Sequence, residues 1–148
     1  MSVLNQRKPT AIEKIELLTK VSLFSGCNKR ELTQIAAATT QILLPSGSVV
    51  VEQGEPGDRF FVLAEGLCYV HVDGEQVNSI KPGSFFGEMS LLDQGPRSAT
   101  VTTELPSRLL VLEARSFAEL VRQNPSVALK IMRGLAERLR AFEARPPR

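Results

Sequence analysis

Histidine and cysteine are scarce in this 148-residue chain, and each scarcity removes a class of chemistry. His71 is the only histidine, so a catalytic metal held by several imidazoles is excluded. The serines, Ser48 and Ser98 included, have neither a second histidine nor a nucleophile-elbow glycine frame, so no hydrolase constellation is visible and no enzyme is expected. Cys27 and Cys68 lie far apart without a C-x-x-C spacing, which argues against a disulfide framework and suits a reducing cytoplasm. No run approaches the roughly 20 apolar residues of a membrane span. Met1 to Thr10 carries charge and a proline with no apolar stretch behind it, which excludes a secretory signal. Charge of one sign is not in excess either: the formal balance is +2. Arg133, Arg138, Arg140, Arg145 and Arg148 crowd the C-terminal end, but such a tail reads as a solvated face, and direct DNA binding is not expected. With no internal repeat and no low-complexity linker, a single cytoplasmic domain over 1–148 is expected, and 43% apolar content is enough for one continuous core.

What is present falls into three parts: helices over 1–39, a β-rich middle over 40–114, and helices over 115–145. Ile12, Ile15, Leu18 and Val21 recur at three-residue steps and predict a helix over 11–21; a second opens at Asn28, a good N-cap, and runs through Leu32 and Ile35. Between them Leu23 and Phe24 are suited to plug a core while Gly26 turns the chain. From residue 40, short β-rich runs (41–44, 48–52, 60–64, 67–72, 77–80, 99–103 and 108–112) alternate with Gly, Pro and Asp punctuation, the pattern of a β-barrel or jelly roll. Asp73-Gly74 suits a two-residue hairpin. Gly54, Gly57 and Gly66 read as turn glycines with positive φ. Ser116 is positioned to cap a short helix, and Pro125 to open a longer one. On the latter, Ala128, Met132, Leu135, Leu139 and Phe142 mark one apolar stripe before Pro146 and Pro147 end it. Gly134 inside that helix costs about 1 kcal/mol relative to Ala, which marks a weak point or a close packing contact.

The least ordinary stretch is Gly83 to Ala99. Gly87 and Glu88 can open a helical turn whose unpaired N–H groups favour an anion. Arg97, after Pro96 at the mouth of a strand, offers a planar fork able to take two phosphate oxygens at once. An ionised Glu88 only accepts hydrogen bonds, and a sugar hydroxyl supplies a donor; Ser90 and Ser98 leave room and add hydroxyls. A phosphate plus ribose is the natural ligand. The plainer alternatives are a surface Arg97 paired with Glu88 or Asp93, and Glu88 as a helix-start carboxylate answering the dipole. Val70 is read either as core or as the wall of a base pocket.

Two segments carry a family resemblance: Val50-Val51-Glu52-Gln53-Gly54-Glu55-Pro56-Gly57-Asp58-Arg59-Phe60-Phe61-Val62-Leu63-Ala64-Glu65-Gly66, and Phe86-Gly87-Glu88-Met89-Ser90-Leu91 followed by Pro96-Arg97-Ser98-Ala99-Thr100-Val101. They resemble the cyclic-nucleotide-binding domains of cyclic-AMP-dependent kinase regulatory subunits, nucleotide-gated channels and bacterial catabolite activators, and the resemblance runs over nearly the whole chain. It implies a mainly β fold, an eight-stranded jelly roll with an N-terminal helical bundle and C-terminal lid helices, and a phosphate-binding cassette over 83–99. It further implies that Arg97 pairs with the cyclic phosphate, Glu88 accepts the ribose 2′-hydroxyl, and the backbone of Gly87, Met89 and Ser90 donates, with Phe86 in the same cassette. Ser98 would touch phosphate or base without settling the choice between cyclic AMP, the favoured ligand, and cyclic GMP. By its distance from Pro125, Arg138 resembles the base-capping residue of bacterial channel domains.

A sensor that binds cyclic nucleotide and repositions its last helix is therefore expected, needing no cofactor. The alternative is a module of the same fold that binds no ligand and serves interaction or assembly. A transcription factor of the catabolite-activator kind needs a helix-turn-helix after the last helix, and none is read before Arg148. Output is expected through a separate protein partner or through a homodimer made by the C-terminal helix.

Overall fold

The computed structural model describes residues 8–144, so the arginines at 145 and 148 and the terminating prolines lie outside the described residues. The two leading helices start where side chains can satisfy their free amides. Thr10 caps α1 (Ala11–Thr19) and Asn28 caps α2 (Lys29–Ala38), each closing a reciprocal capping box with the glutamate three residues on. α1 ends two residues short of the expected Val21, because the chain turns into a short 3-10 segment over Ser22–Phe24 that drives Leu23 and Phe24 into the core.

The middle of the chain folds into β1 (Thr40–Leu44), β2 (Val49–Val51), β3 (Arg59–Glu65), β4 (Cys68–Val72), β5 (Glu75–Ile80), β6 (Phe85–Phe86), β7 (Thr100–Thr103) and β8 (Ser107–Glu113). They form two four-stranded antiparallel sheets, ordered β1-β8-β3-β6 and β2-β7-β4-β5. This is the jelly roll that the turn spacing predicts. β6 lies outside the seven β-rich runs of the sequence, since two residues carry no periodicity.

β3 and β8 are buried on both faces, which is why they read as unbroken apolar runs rather than alternating ones. Phe61, Leu63, Leu109 and Val111 face the space between the sheets, while Phe60, Val62, Leu110 and Leu112 face the helices. At the β4–β5 hairpin Asp73 (φ 52°) and Gly74 (φ 82°) both take the left-handed region that a two-residue turn requires.

Two C-terminal expectations need correction. α3 (Ala114–Gln123) begins before Ser116, which lies inside the helix and does not cap it. β8 runs straight into α3, and the carbonyl of Asp58 takes the Ala114 amide at 2.7 Å, so no side-chain cap is needed. On α4 (Pro125–Glu143) the buried face is Val127, Ile131 and Gly134, one residue out of phase with the expected stripe. Met132, Leu139 and Phe142 are 58%, 59% and 65% exposed. Gly134 sets the phase: a Cβ there would stand 3.2 Å from the Leu23 carbonyl oxygen, so the glycine is a close packing contact between α4 and the 3-10 turn. Among the described residues no helix is long and apolar enough to cross a membrane.

Candidate functional site

The segment after β2 and the segment before β7 are zipped together, and the zipper fixes Arg97. Its amide donates to the Glu55 carbonyl at 2.8 Å, its carbonyl accepts from the Gly54 amide at 2.9 Å, and the Gly57 amide reaches the Gly95 carbonyl at 3.2 Å. With backbone donor and acceptor both engaged, the side chain has a fixed origin. From there Nη2 donates to the Arg59 carbonyl at 2.9 Å.

Two glycines make room for the guanidinium. A Cβ on Gly57 would lie 2.1 Å from Arg97 Nε, and one on Gly87 would lie 2.6 Å from Nη1. Gly87 also has φ 81°, so it is required twice over. Gly57, expected as a positive-φ turn glycine, is not in the left-handed region; it is glycine because the fork of Arg97 passes over it.

Arg97 is half-buried, and among the described residues no carboxylate lies within ion-pairing distance of it. The surface pairs with Glu88 or Asp93 do not form. Asp93 instead accepts the Gly95 amide at 2.9 Å and holds the turn before Pro96. Burial, followed by the nearby charge of Arg59, pushes the Arg97 pKa down, with Asp58 opposing from a distance. An environment that disfavours a lone cation favours an incoming anion. Both guanidinium groups approach the Phe61 ring, Arg59 at 5.3 Å from its centroid and Arg97 at 5.8 Å.

Facing the fork, Gly87 opens a 3-10 turn over Glu88–Leu91. The Ser90 amide closes that turn on the Gly87 carbonyl at 3.0 Å, so it is spent within the cassette. Leu91 and Ser90 are buried and anchor the turn, whereas Met89 stands 56% exposed. The Glu88 side chain is 16% exposed, and its Oε1 accepts from Arg138 Nη2 at 3.1 Å.

Between turn and fork lies a cavity of about 270 Å³ whose walls include Val51, Val70, Phe86, Glu88, Arg97 and Val101. A second hollow of about 390 Å³ runs along the cassette, touching Gly87, Met89, Ser90, Arg97 and Ser98. Val70 is thus both a core residue and a cavity wall. The structure brings together Phe86, Gly87, Glu88, Met89, Ser90, Arg97, Ser98 and Val70; Arg138 reaches Glu88 but lines neither hollow. Sequence reasoning missed Arg59 and Gly57. The strand period was the available signal for Arg59, since it shares the inward face of β3 with Phe61.

Residues 41–124 match the family model of the cyclic nucleotide-binding domain. The chain belongs to this family. It is 35% identical over 122 residues to a cyclic nucleotide-gated potassium channel of Mesorhizobium japonicum, an alignment covering 82% of this chain and 34% of the channel. It is 31% identical over 133 residues to a CRP-like cAMP-activated global transcriptional regulator of Mycobacterium tuberculosis, covering 84% of this chain and 58% of the regulator. The chain therefore spans less than two thirds of either relative. Its fold is similar to the N-terminal domain of a transcriptional regulator from Streptomyces coelicolor, with a TM-score of 0.81, 30% identity, and 86% and 92% of the two chains covered. In this cyclic nucleotide-binding domain the family match takes in the roll, the cassette and α3, and stops before α4.

Proposed function

We propose that this cyclic nucleotide-binding domain is a sensor for cyclic AMP, with Arg97 as the partner of the cyclic phosphate and Glu88 as the acceptor of the ribose 2′-hydroxyl. The observation that carries this reading is the half-buried guanidinium of Arg97, unpaired by any described carboxylate and framed by Gly57 and Gly87. A cation so placed lacks the counter-charge that a phosphodiester brings. Of the amides of Gly87, Met89 and Ser90, that of Ser90 is engaged within the turn, which leaves those of Gly87 and Met89 as donors. Val70 and Phe86, with Val51 and Val101, give the cavity the apolar wall that a purine needs. Cyclic AMP is favoured over cyclic GMP because the mycobacterial relative is a cAMP-activated regulator.

Sensing adds the requirement that nucleotide binding shift α4. That shift is bounded by the difference in ligand affinity between the two positions of the helix, so tight binding alone does not establish it.

Calorimetry against cyclic AMP, cyclic GMP and AMP tests the site. Arg97→Ala removes a charged partner of a partly buried anion, at a cost of about 3–5 kcal/mol, so affinity is expected to drop about a hundredfold or more. Its melting without nucleotide should stay near that of the wild type, because Arg97 makes a single side-chain hydrogen bond. Unchanged affinity in Arg97→Ala removes the phosphate assignment. Absence of binding by the wild-type chain to every nucleotide leaves the module of the same fold that works by assembly.

A further inference from the structure

Arg138 and Glu88 are 50 residues apart in sequence and meet at 3.1 Å, joining the distal part of α4 to the cassette. The two side chains are unequally placed: Glu88 is 16% exposed and Arg138 45%. Only Oε1 of the carboxylate is engaged; Oε2 has no hydrogen-bond partner among the described residues. Glu88 lines both hollows beside Arg97, while Arg138 lines neither, so the guanidinium comes to the carboxylate from its flank and not through the ligand cavity.

We propose that Arg138 is a positioning residue for ribose recognition, reaching from α4 to hold the Glu88 carboxylate so that Oε2 is kept for the 2′-hydroxyl of the nucleotide. This rests on the cyclic-nucleotide reading of the site and differs from the base-capping role that the family resemblance implies for Arg138. A glutamate has three side-chain torsions to fix, and one already fixed by Arg138 loses less freedom when the ribose arrives. The carboxylate has lone pairs enough for both donors, so the guanidinium and the hydroxyl bind it together without excluding each other.

Linkage then gives α4 a direction of response. If Arg138 strengthens the bond between Glu88 and the ribose, the ribose must strengthen the bond between Glu88 and Arg138 by the same factor. The 2′-hydroxyl thereby tightens the hold on the distal α4, and a nucleotide lacking that hydroxyl does not.

The test is calorimetry on the full chain with cyclic AMP and with its 2′-deoxy analogue, for wild type, Arg138→Met and Arg138→Lys. Arg138→Met should lose about two- to fivefold in affinity for cyclic AMP, the size of a half-exposed ion pair, and lose nothing for the 2′-deoxy analogue. Arg138→Lys should recover part of the loss. In the wild type, hydrogen exchange of amides 136–144 should slow with cyclic AMP and not with the deoxy analogue. An equal loss for both nucleotides would show that Arg138 touches base or phosphate and would overturn the proposal, as would a gain in affinity or no change. If the wild type binds no cyclic nucleotide at all, the parent reading falls first; normal binding with an unaltered preference for the 2′-hydroxyl sinks this inference alone.

Discussion

At the scale of single residues, the site is organised by what is missing from two glycines. Arg97 can lie flat only because neither Gly57 nor Gly87 has a Cβ in its path. In Gly57→Ala the new methyl would stand 2.1 Å from Nε, and the mobile side chain yields more readily than a backbone zipped by three hydrogen bonds. The cost therefore lands on function. Gly57→Ala is expected to weaken cyclic AMP binding about tenfold or more, with unfolding free energy within about 1 kcal/mol of wild type. Urea unfolding beside calorimetry separates the two; lost stability with intact affinity would mean that the backbone moved and the fork stayed. Arg97 and Glu88 were legible in the sequence because they stand in dense motifs whose neighbours have few other uses. The Arg138–Glu88 pair and the Arg97–Arg59 hydrogen bond were not, because both depend on contacts made by residues 38 or more positions apart.

At the scale of elements, α4 is fastened at one end and reaches the cassette at the other. Glu31, 5% exposed, lies under the first turns of α4 and takes Lys130 Nζ and Ser126 Oγ while completing the capping box of α2 with the Asn28 amide. The lysine and then the Asn28 amide hold its carboxyl well below the usual 4.5, at about 2. A carboxyl depressed by folding stabilises the protein above its unfolded pKa, and that contribution disappears as pH falls through the folded value. Stability should thus decline between about pH 4.5 and pH 2. Glu31→Gln should be less stable at neutral pH and should lose part of this decline, as read from urea midpoints across that range. Identical acid profiles for variant and wild type would remove Glu31 from the fastening. The Asn28 cap was legible because capping is local chemistry. The start of α3 and the buried face of α4 were not: the first is set by the carbonyl of Asp58 across the fold, and the second by Gly134 meeting Leu23.

At the scale of the whole molecule, α4 carries a second apolar line beside the one that seals the core. Val127, Ile131 and Gly134 seal the core, Leu135 packs half-buried against it, and Met132 and Leu139 stand more than half exposed on the outer side. Met132, Leu135, Leu139 and Phe142 follow one another at steps of three, four and three residues, those of a coiled-coil seam, which fits a second copy of the same helix better than an irregular partner. The chain is expected to dimerise along α4 at tens of micromolar, with Leu139→Glu raising the dimer dissociation constant about tenfold or more, since a charge at a seam position has no partner there. Sedimentation velocity reads both, and a wild type monomeric throughout that range would leave the outer line without this role. Leu139 directly follows Arg138, so a nucleotide that steadied Arg138 on Glu88 would act one residue from the seam. If the two are linked, saturating cyclic AMP must lower the dimer dissociation constant by the square of the factor by which dimerisation raises the affinity of each of the two sites, and a dimer dissociation constant unchanged by cyclic AMP would show pocket and seam to be energetically independent.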